Sequence, residues 1–379
     1  MTSSNSNAAS DLRSFFGSSD RPFRSAMWGN NDTDWGYAMM QHYHQQSALI
    51  PAATSTSMAA SDNPHLFHGN LSIPRKIHFV WVGPKPLPLQ QQQQDDQSFL
   101  DGLDTNIDTS TTTAVHGWNS PMRSWLVHHN NNNNYEYCFW TDDTIKSLER
   151  PLYNEAAYQY ALQESQYGMA SDILRLELLY RFGGIYVDID YYCVASLEGL
   201  LQSFFCSNTT TTTTTTTGLV CGASSTGCVE INNGLILSSP QHNLIWQMMQ
   251  DIHTWYQEYS SSLLLQQTTT IHDTPLQLVA SFLDESSRMA LQQGTKQRRL
   301  GPMDVIRHTG PGLWTRVIGA ALLEYETTNN DTAVLVLPSR VFHPVPNDFA
   351  KRGIEKKDMN AFVVPGETRA IHLWCSSWQ

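Results

Sequence analysis

Residues 168–193 read GMASDILRLELLYRFGGIYVDIDYYC, a helical run, a Gly-Gly break and a short apolar strand that ends in two aspartates. Ile173, Leu174, Leu178, Leu179 and Phe182 recur at helical spacing, which predicts a helix from an N-cap at Ser171 to a stop at Gly183-Gly184. Residues 185–190 then read as a strand. Side chains alternate along a strand, so Tyr186, Asp188 and Asp190 share one face while Ile185, Val187 and Ile189 share the other. The apolar face belongs to a core. The acidic face holds two mutually repelling carboxylates, and burial adds to that cost, so something positive is expected to meet them.

Upstream, residues 76–82 (KIHFVWV) form a strand introduced by Ile73-Pro74 and stopped by Gly83-Pro84. A second strand spans 135–140, and Thr141 caps a short helix that runs to Leu148. Residues 118–128 hold a helix with Pro121 in its first turn. Strand, helix, strand, helix in this order predicts an α/β fold with a parallel sheet. Further strands are expected near 218–222 and 234–237, followed by a helix over 241–256 and another opened by Thr274-Pro275. Residues 334–337 and 370–374 read as late strands, and no repeat at solenoid period is visible.

The 379-residue chain carries less foldable length than it suggests. Residues 1–70 are rich in Ser, Asn, Ala, Met and His without sustained periodicity and read as a poorly ordered leader. The Gln, Asn and Thr runs at 90–94, 130–134 and 209–217 belong in surface loops, which tolerate added length. What remains within 71–379, roughly 250 to 280 residues, is ample for one α/β domain.

A net charge of −12 argues against a general nucleic-acid binder, which would present a basic patch. An anionic substrate would therefore need a local device: a metal, helix N-termini or a few placed arginines. The six cysteines (138, 193, 206, 221, 228 and 375) show no CxxC and no zinc-ligand spacing. Buried free thiols and one or two disulfides are both open readings. No apolar run approaches the ~20 residues that span a bilayer, and no signal-peptide core is visible at the start of the sequence.

Placed at the carboxyl end of a strand, Asp188 and Asp190 would face the crevice where open α/β sheets bind ligands. Two hard oxygen donors on one face suit Mg²⁺ or Mn²⁺, with a substrate diphosphate completing the shell. A solvated acidic pair is the bland reading. Asp172 and Arg175, one helical turn apart, read either as a surface ion pair of about 0.5 kcal/mol or as a phosphate- or sugar-binding couple. Aspartyl-phosphate phosphatases also place D-x-D after an apolar strand, but their motif lies near a domain's start. Glycoside hydrolases hold their two carboxyls about 5 to 9 Å apart across a bond.

Residues 170–190, ASDILRxExLYxxGGIYxDxD, resemble the D-x-D sugar-binding signature of glycosyltransferase family 32, which includes α-1,6-mannosyltransferases and inositol phosphorylceramide mannosyltransferases. Residues 73–83 (IPRKIHFVWVG), 309–314 (TGPGLW) and 371–378 (IHLWCSSW) resemble that family's opening strand, T-G-P segment and terminal H-x-W-x-x-S-W. The resemblance implies a GT-A fold with a mixed, mostly parallel central sheet. It also implies transfer of a hexose from a nucleoside diphosphate, with retention of configuration, to a glycan or glycolipid hydroxyl. GDP-mannose is the first donor expected and UDP-hexoses the second.

By resemblance, Asp188 and Asp190 carry Mn²⁺ or Mg²⁺ with His372 as a third ligand, and Arg175 acts beside them. Trp81, Asp172, Arg175, Tyr186, Asp188 and Asn233 line the donor. On residues alone, Trp81 and His372 read equally as structural, and Asn233-Gly234 as a turn. Relatives acting in the Golgi lumen imply that location. A non-catalytic sugar-binding relative is the alternative that the same residues leave open.

Overall fold

The structure, a computed structural model, describes residues 12–17, 23–24, 27–48, 73–86, 120–129, 135–200, 218–271, 300–328, 334–349 and 356–374. The three homopolymer runs, the Thr274-Pro275 helix start, Cys206, Cys375 and Trp378 lie outside them. In chain order the strands are β1 (Lys76–Val80), β2 (Glu136–Trp140), β3 (Gly184–Val187), β4 (Tyr191–Cys193), β5 (Leu219–Ala223), β6 (Ile231–Ser238), β7 (Val334–Leu337) and β8 (Ala370–His372). The helices are α1 (Asp32–Ala48), α2 (Ser120–His129), α3 (Asp142–Lys146), α4 (Glu155–Gln163), α5 (Tyr167–Phe182), α6 (Asn243–Ile271), α7 (Pro302–His308), α8 (Pro311–Thr328) and α9 (Ser339–Phe342).

The main sheet has the order β2-β1-β3-β6-β5-β7. Only β6 runs against its neighbours; β1 is parallel to both β2 and β3, and β5 is parallel to β7. The sheet is therefore mixed and mostly parallel, as expected. The carboxyl ends of β1, β3, β5 and β7 consequently share one edge. A second, antiparallel pair, β4 with β8, begins just after the chain leaves β3.

One apolar cluster packs α1, α5, α6 and α8 against one face of the sheet, with Tyr186, Leu174, Trp314 and Met39 buried in it. A second fills the other face around Ile77, Phe79, Trp125, Ile185 and Val187. Alternation along β3 thus sends Tyr186 to one cluster and Ile185 and Val187 to the other, so both faces are covered, the usual condition of a largely parallel sheet.

Several expectations change on contact with this fold. Helix α5 starts at Tyr167 rather than after Ser171, because Met169 and Ala170 are buried and carry its apolar face back a turn. The strand expected over 185–190 stops at Val187: Asp188 N–H donates to the Gly234 carbonyl (2.8 Å), and a turn closes from Tyr191 N–H to the Asp188 carbonyl (3.1 Å). Both aspartates sit in this turn, not on a strand face. Asn232, Asn233 and Gly234 lie inside β6 rather than in a turn before it. Helix α6 runs on past Tyr256 to Ile271.

Within the expected leader, α1 is a packed element: Trp35, Ala38 and Met39 are buried, and so are Leu12, Phe15 and Phe16 before it. The Thr141 cap is found as expected, as a capping box with Thr144. Cys138, Cys193, Cys221 and Cys228 are free thiols.

Candidate active site

Gly183 and Gly184 set the site's position. Gly183 caps α5 at φ 61° and Gly184 follows at φ 95°, both in the left-handed region that favours glycine. A Cβ on Gly184 would overlap the Lys76 carbonyl of β1. The chain therefore reverses from α5 into β3 with α5 lying over the sheet. That brings Asp172 and Arg175 from the middle of the helix to the end of β3.

Arg175 is 3 % exposed and sits at the centre. Its Nη2 lies 3.0 Å from Asp172 Oδ1 and 3.4 Å from Asp188 Oδ1, and its Nη1 donates to the Asn233 carbonyl. The guanidinium stacks over the Tyr186 ring at 4.6 Å. Burial alone would lower its pKa, but Asp188, Tyr186 and Asp172 around it carry the pKa above its ordinary value, so it stays charged. The surface-pair reading of Asp172 and Arg175 is thus replaced by a buried network.

Asp172 accepts further bonds from Asn233 Nδ2 (2.9 Å) and Thr309 Oγ1 (3.0 Å). Burial pushes its pKa up, opposed by Arg175. Asp188 accepts from the Tyr186 hydroxyl (2.7 Å); its pKa is raised by burial, against Arg175, and raised further by Asp190. Gly234 completes this wall, since a Cβ there would lie 2.7 Å from Asp188 Oδ2 and from the Tyr191 ring.

β8 delivers His372. Its Nε2 is 3.3 Å from Asp190 Oδ1, and Asp188, Asp190 and His372 each offer a ligand atom within 4.8 Å of the others. His372 Nδ1 is buried with no hydrogen-bond partner. Three carboxylates (Asp172, Asp188 and Asp190) against one guanidinium leave two negative charges, the balance a divalent cation would restore. Hard oxygen donors with one imidazole suit Mn²⁺ or Mg²⁺, so the residues present fit such an ion.

Trp81 follows β1, one strand from β3 at the same sheet edge. It is 8 % exposed, its indole N–H donates to the Lys85 carbonyl (2.8 Å), and its ring belongs to the second apolar cluster. Tyr186 is fully buried and reaches the site through its hydroxyl. The sequence reading overlooked Tyr191 and His343, which come from segments 152 residues apart. No local spacing links them.

A family model described as "Glycosyltransferase sugar-binding region containing DXD motif" matches residues 116–207. Among curated relatives, inositol phosphoceramide mannosyltransferase 1 of Schizosaccharomyces pombe is 23 % identical over 246 residues, which is 61 % of this chain and 60 % of that protein. Inositol phosphoceramide mannosyltransferase 3 of the same organism is 35 % identical over 68 residues, 18 % of this chain and 19 % of that protein. The chain thus spans about 60 % of the length of the first of these relatives.

Among solved structures, PaToxG glycosyltransferase aligns over 78 % of this chain and 80 % of its own, with 16 % identity and a TM-score of 0.32. The UDP-bound glycosyltransferase domain of the YGT toxin aligns over 71 % and 80 %, with 12 % identity and a TM-score of 0.36. Residues 116–207 thus match the DXD-containing sugar-binding region of glycosyltransferases, and they carry the acidic pair at the carboxyl edge of a mixed α/β sheet.

Proposed function

We propose that this protein transfers a hexose, mannose first, from a nucleoside diphosphate to a hydroxyl of a glycan or glycolipid. The observation that carries the reading is the convergence of Asp188, Asp190 and His372 within 4.8 Å beside the buried Arg175. Asp188, Asp190 and His372 would hold Mn²⁺ or Mg²⁺, which would supply Lewis-acid stabilisation of charge on the leaving diphosphate. Arg175 opposes the upward push of burial on the Asp188 pKa, and Asp172, itself held by Asn233 and Thr309, keeps Arg175 in place. Asp172, Arg175, Tyr186 and Asn233 form the floor under the donor sugar. Trp81, at the same sheet edge, takes the nucleotide base.

The resemblance to family 32 implies retention of configuration, and the engagement of the carboxylates bears on the route to it. Among the described residues, Asp172 is committed to Arg175, Asn233 and Thr309, Asp188 to Arg175 and Tyr186, and Asp190 faces His372. No one of these is set apart as a nucleophile. We therefore favour a front-face route: the C1–O bond to the diphosphate breaks, the acceptor oxygen bonds C1 on the same face, and the leaving phosphate takes the acceptor proton.

The names of the relatives, inositol phosphoceramide mannosyltransferases, support mannose as the sugar and inositol phosphoceramide as the first acceptor to try, with GDP-mannose as the first donor proposed. By the family resemblance, the proposed site of action is the Golgi lumen. Among the described residues no helix is long and apolar enough to cross a membrane. Proton NMR of the product made from GDP-mannose tests stereochemistry and sugar together. An α-mannoside is expected, and a β-mannoside would exclude the front-face route.

A further inference from the structure

The ring of His372 is held by a partner that neither the family signature nor the mechanism uses. Tyr191, the residue after the D-x-D, stacks flat on His372, with ring centroids 4.3 Å apart and an interplanar angle of 10°. The Tyr191 hydroxyl has one proton to give and two acceptors within reach that share it, Asn232 Oδ1 at 2.9 Å and His343 Nε2, the nearer, at 2.7 Å. Both are fixed. Asn232 Oδ1 also accepts the Gly234 N–H (2.7 Å), and His343 Nδ1 lies 3.0 Å from the Ala223 carbonyl at the end of β5.

Facing a carbonyl, Nδ1 must carry the proton, which leaves Nε2 as the acceptor of a neutral imidazole. Burial, together with the neighbouring His372, pushes the pKa of His343 well below its ordinary value, in keeping with that tautomer. Tyr191 is also tied through its backbone, whose carbonyl accepts the Trp125 indole N–H (2.8 Å). On the opposite side, a side chain at 234 would collide with the Tyr191 ring, so the absence of one there lets the ring lie against β6.

We propose that Tyr191 and His343 are positioning residues for the cation: the His343–Tyr191 hydrogen bond fixes the Tyr191 ring, and that ring fixes the plane in which His372 presents its nitrogen beside Asp190. The inference rests on the reading of Asp188, Asp190 and His372 as a metal site. Groups that orient a metal-bound histidine commonly change affinity by about 10- to 100-fold when removed. Here the orienting contact is a stacked phenol rather than a bond to the ring nitrogen, so the lower end of that range applies.

The test is Mn²⁺ affinity, read by the EPR signal of free Mn²⁺, for wild type, Tyr191→Phe, His343→Gln and Asp190→Asn, with the thermal midpoint of each metal-free protein. Tyr191→Phe keeps the ring and loses only its anchor. A roughly 10-fold weaker affinity with a nearly unchanged metal-free midpoint is expected for it, and a smaller loss in the same direction for His343→Gln, whose amide can still accept the hydroxyl proton. Unchanged Mn²⁺ affinity in both variants, beside a clear loss in Asp190→Asn, would overturn the positioning role while leaving the metal site standing. Equal affinity in wild type and Asp190→Asn would overturn the metal reading and this inference with it.

Discussion

Arg175 is the residue on which the site's electrostatics turn. It is the one cation bonded to both Asp172 and Asp188 among the described residues, and it is buried with them. Replacing it by Met would keep much of the apolar stem but leave two buried carboxylates without their counter-charge. Breaking a buried pair in this way costs about 3 to 5 kcal/mol. Arg175→Met should therefore lower unfolding free energy by that order in urea titration, alongside loss of transfer. A change under about 1 kcal/mol would place Arg175 at the surface, against the network described.

At this scale the sequence was informative where partners lie one helical turn or two residues apart, as with Asp172 and Arg175 or Tyr186 and Asp188. It was silent about Tyr191 with His343 and about Asp172 with Thr309, because those pairs meet only when distant elements dock.

Among the elements, the helix–Gly-Gly–strand unit positions the site, and its weak point is Gly184. Alanine there would take a left-handed φ of 95° and push its Cβ into the Lys76 carbonyl. The conformational part alone costs about 1 to 3 kcal/mol, and the overlap must be relieved by parting β3 from β1. Gly184→Ala should lower the thermal midpoint and reduce activity together. A variant of wild-type stability would contradict this geometry.

The Gly-Gly stop, the strand and the acidic pair were all legible, since each is a local signal. The end of β3 was not. Whether a strand continues through Asp188 depends on what pairs with it, and the Gly234 carbonyl of β6 diverts the chain into a turn. Asn-Gly misled for the same reason, because a local turn preference yields to a strand paired on both sides.

Across the whole molecule, the mostly parallel sheet with ligand-binding carboxyl ends follows from alternating helices and strands and was readable, whereas the strand order and the reversal of β6 were not. The role of α1 was not. Trp35, Ala38, Met39 and His42 do recur at helical spacing, but they are diluted by Asn, Gln and His, so composition outweighed periodicity. Only the docking of α1 against α8 and β7 reveals it as core.

The fold also predicts an acid sensitivity at His78. This residue is fully buried in β1, with Nε2 2.9 Å from the Gly183 carbonyl and Nδ1 accepting the Trp140 indole N–H (3.0 Å). Burial lowers its pKa to about 4, so between pH 6.5 and 4 the unfolded chain binds a proton that the folded chain does not. Stability from this residue is present above that window and is lost as pH falls through it. The stability advantage of wild type over His78→Gln should shrink by about 2 kcal/mol from pH 7 to pH 5. An advantage that holds or grows would show that His78 is protonated in the folded state.

The central claim is that Asp188, Asp190 and His372 serve a metal-dependent nucleotide-sugar transferase. Its most direct test is the release of nucleoside diphosphate from a panel of donors, GDP-mannose and UDP-hexoses, with Mn²⁺, with EDTA and with Asp190→Asn. The account predicts release from at least one donor, GDP-mannose first, abolished by EDTA and reduced roughly 100-fold or more in the variant. Release that persists in EDTA, or no release from any donor with Mn²⁺ present, would contradict it.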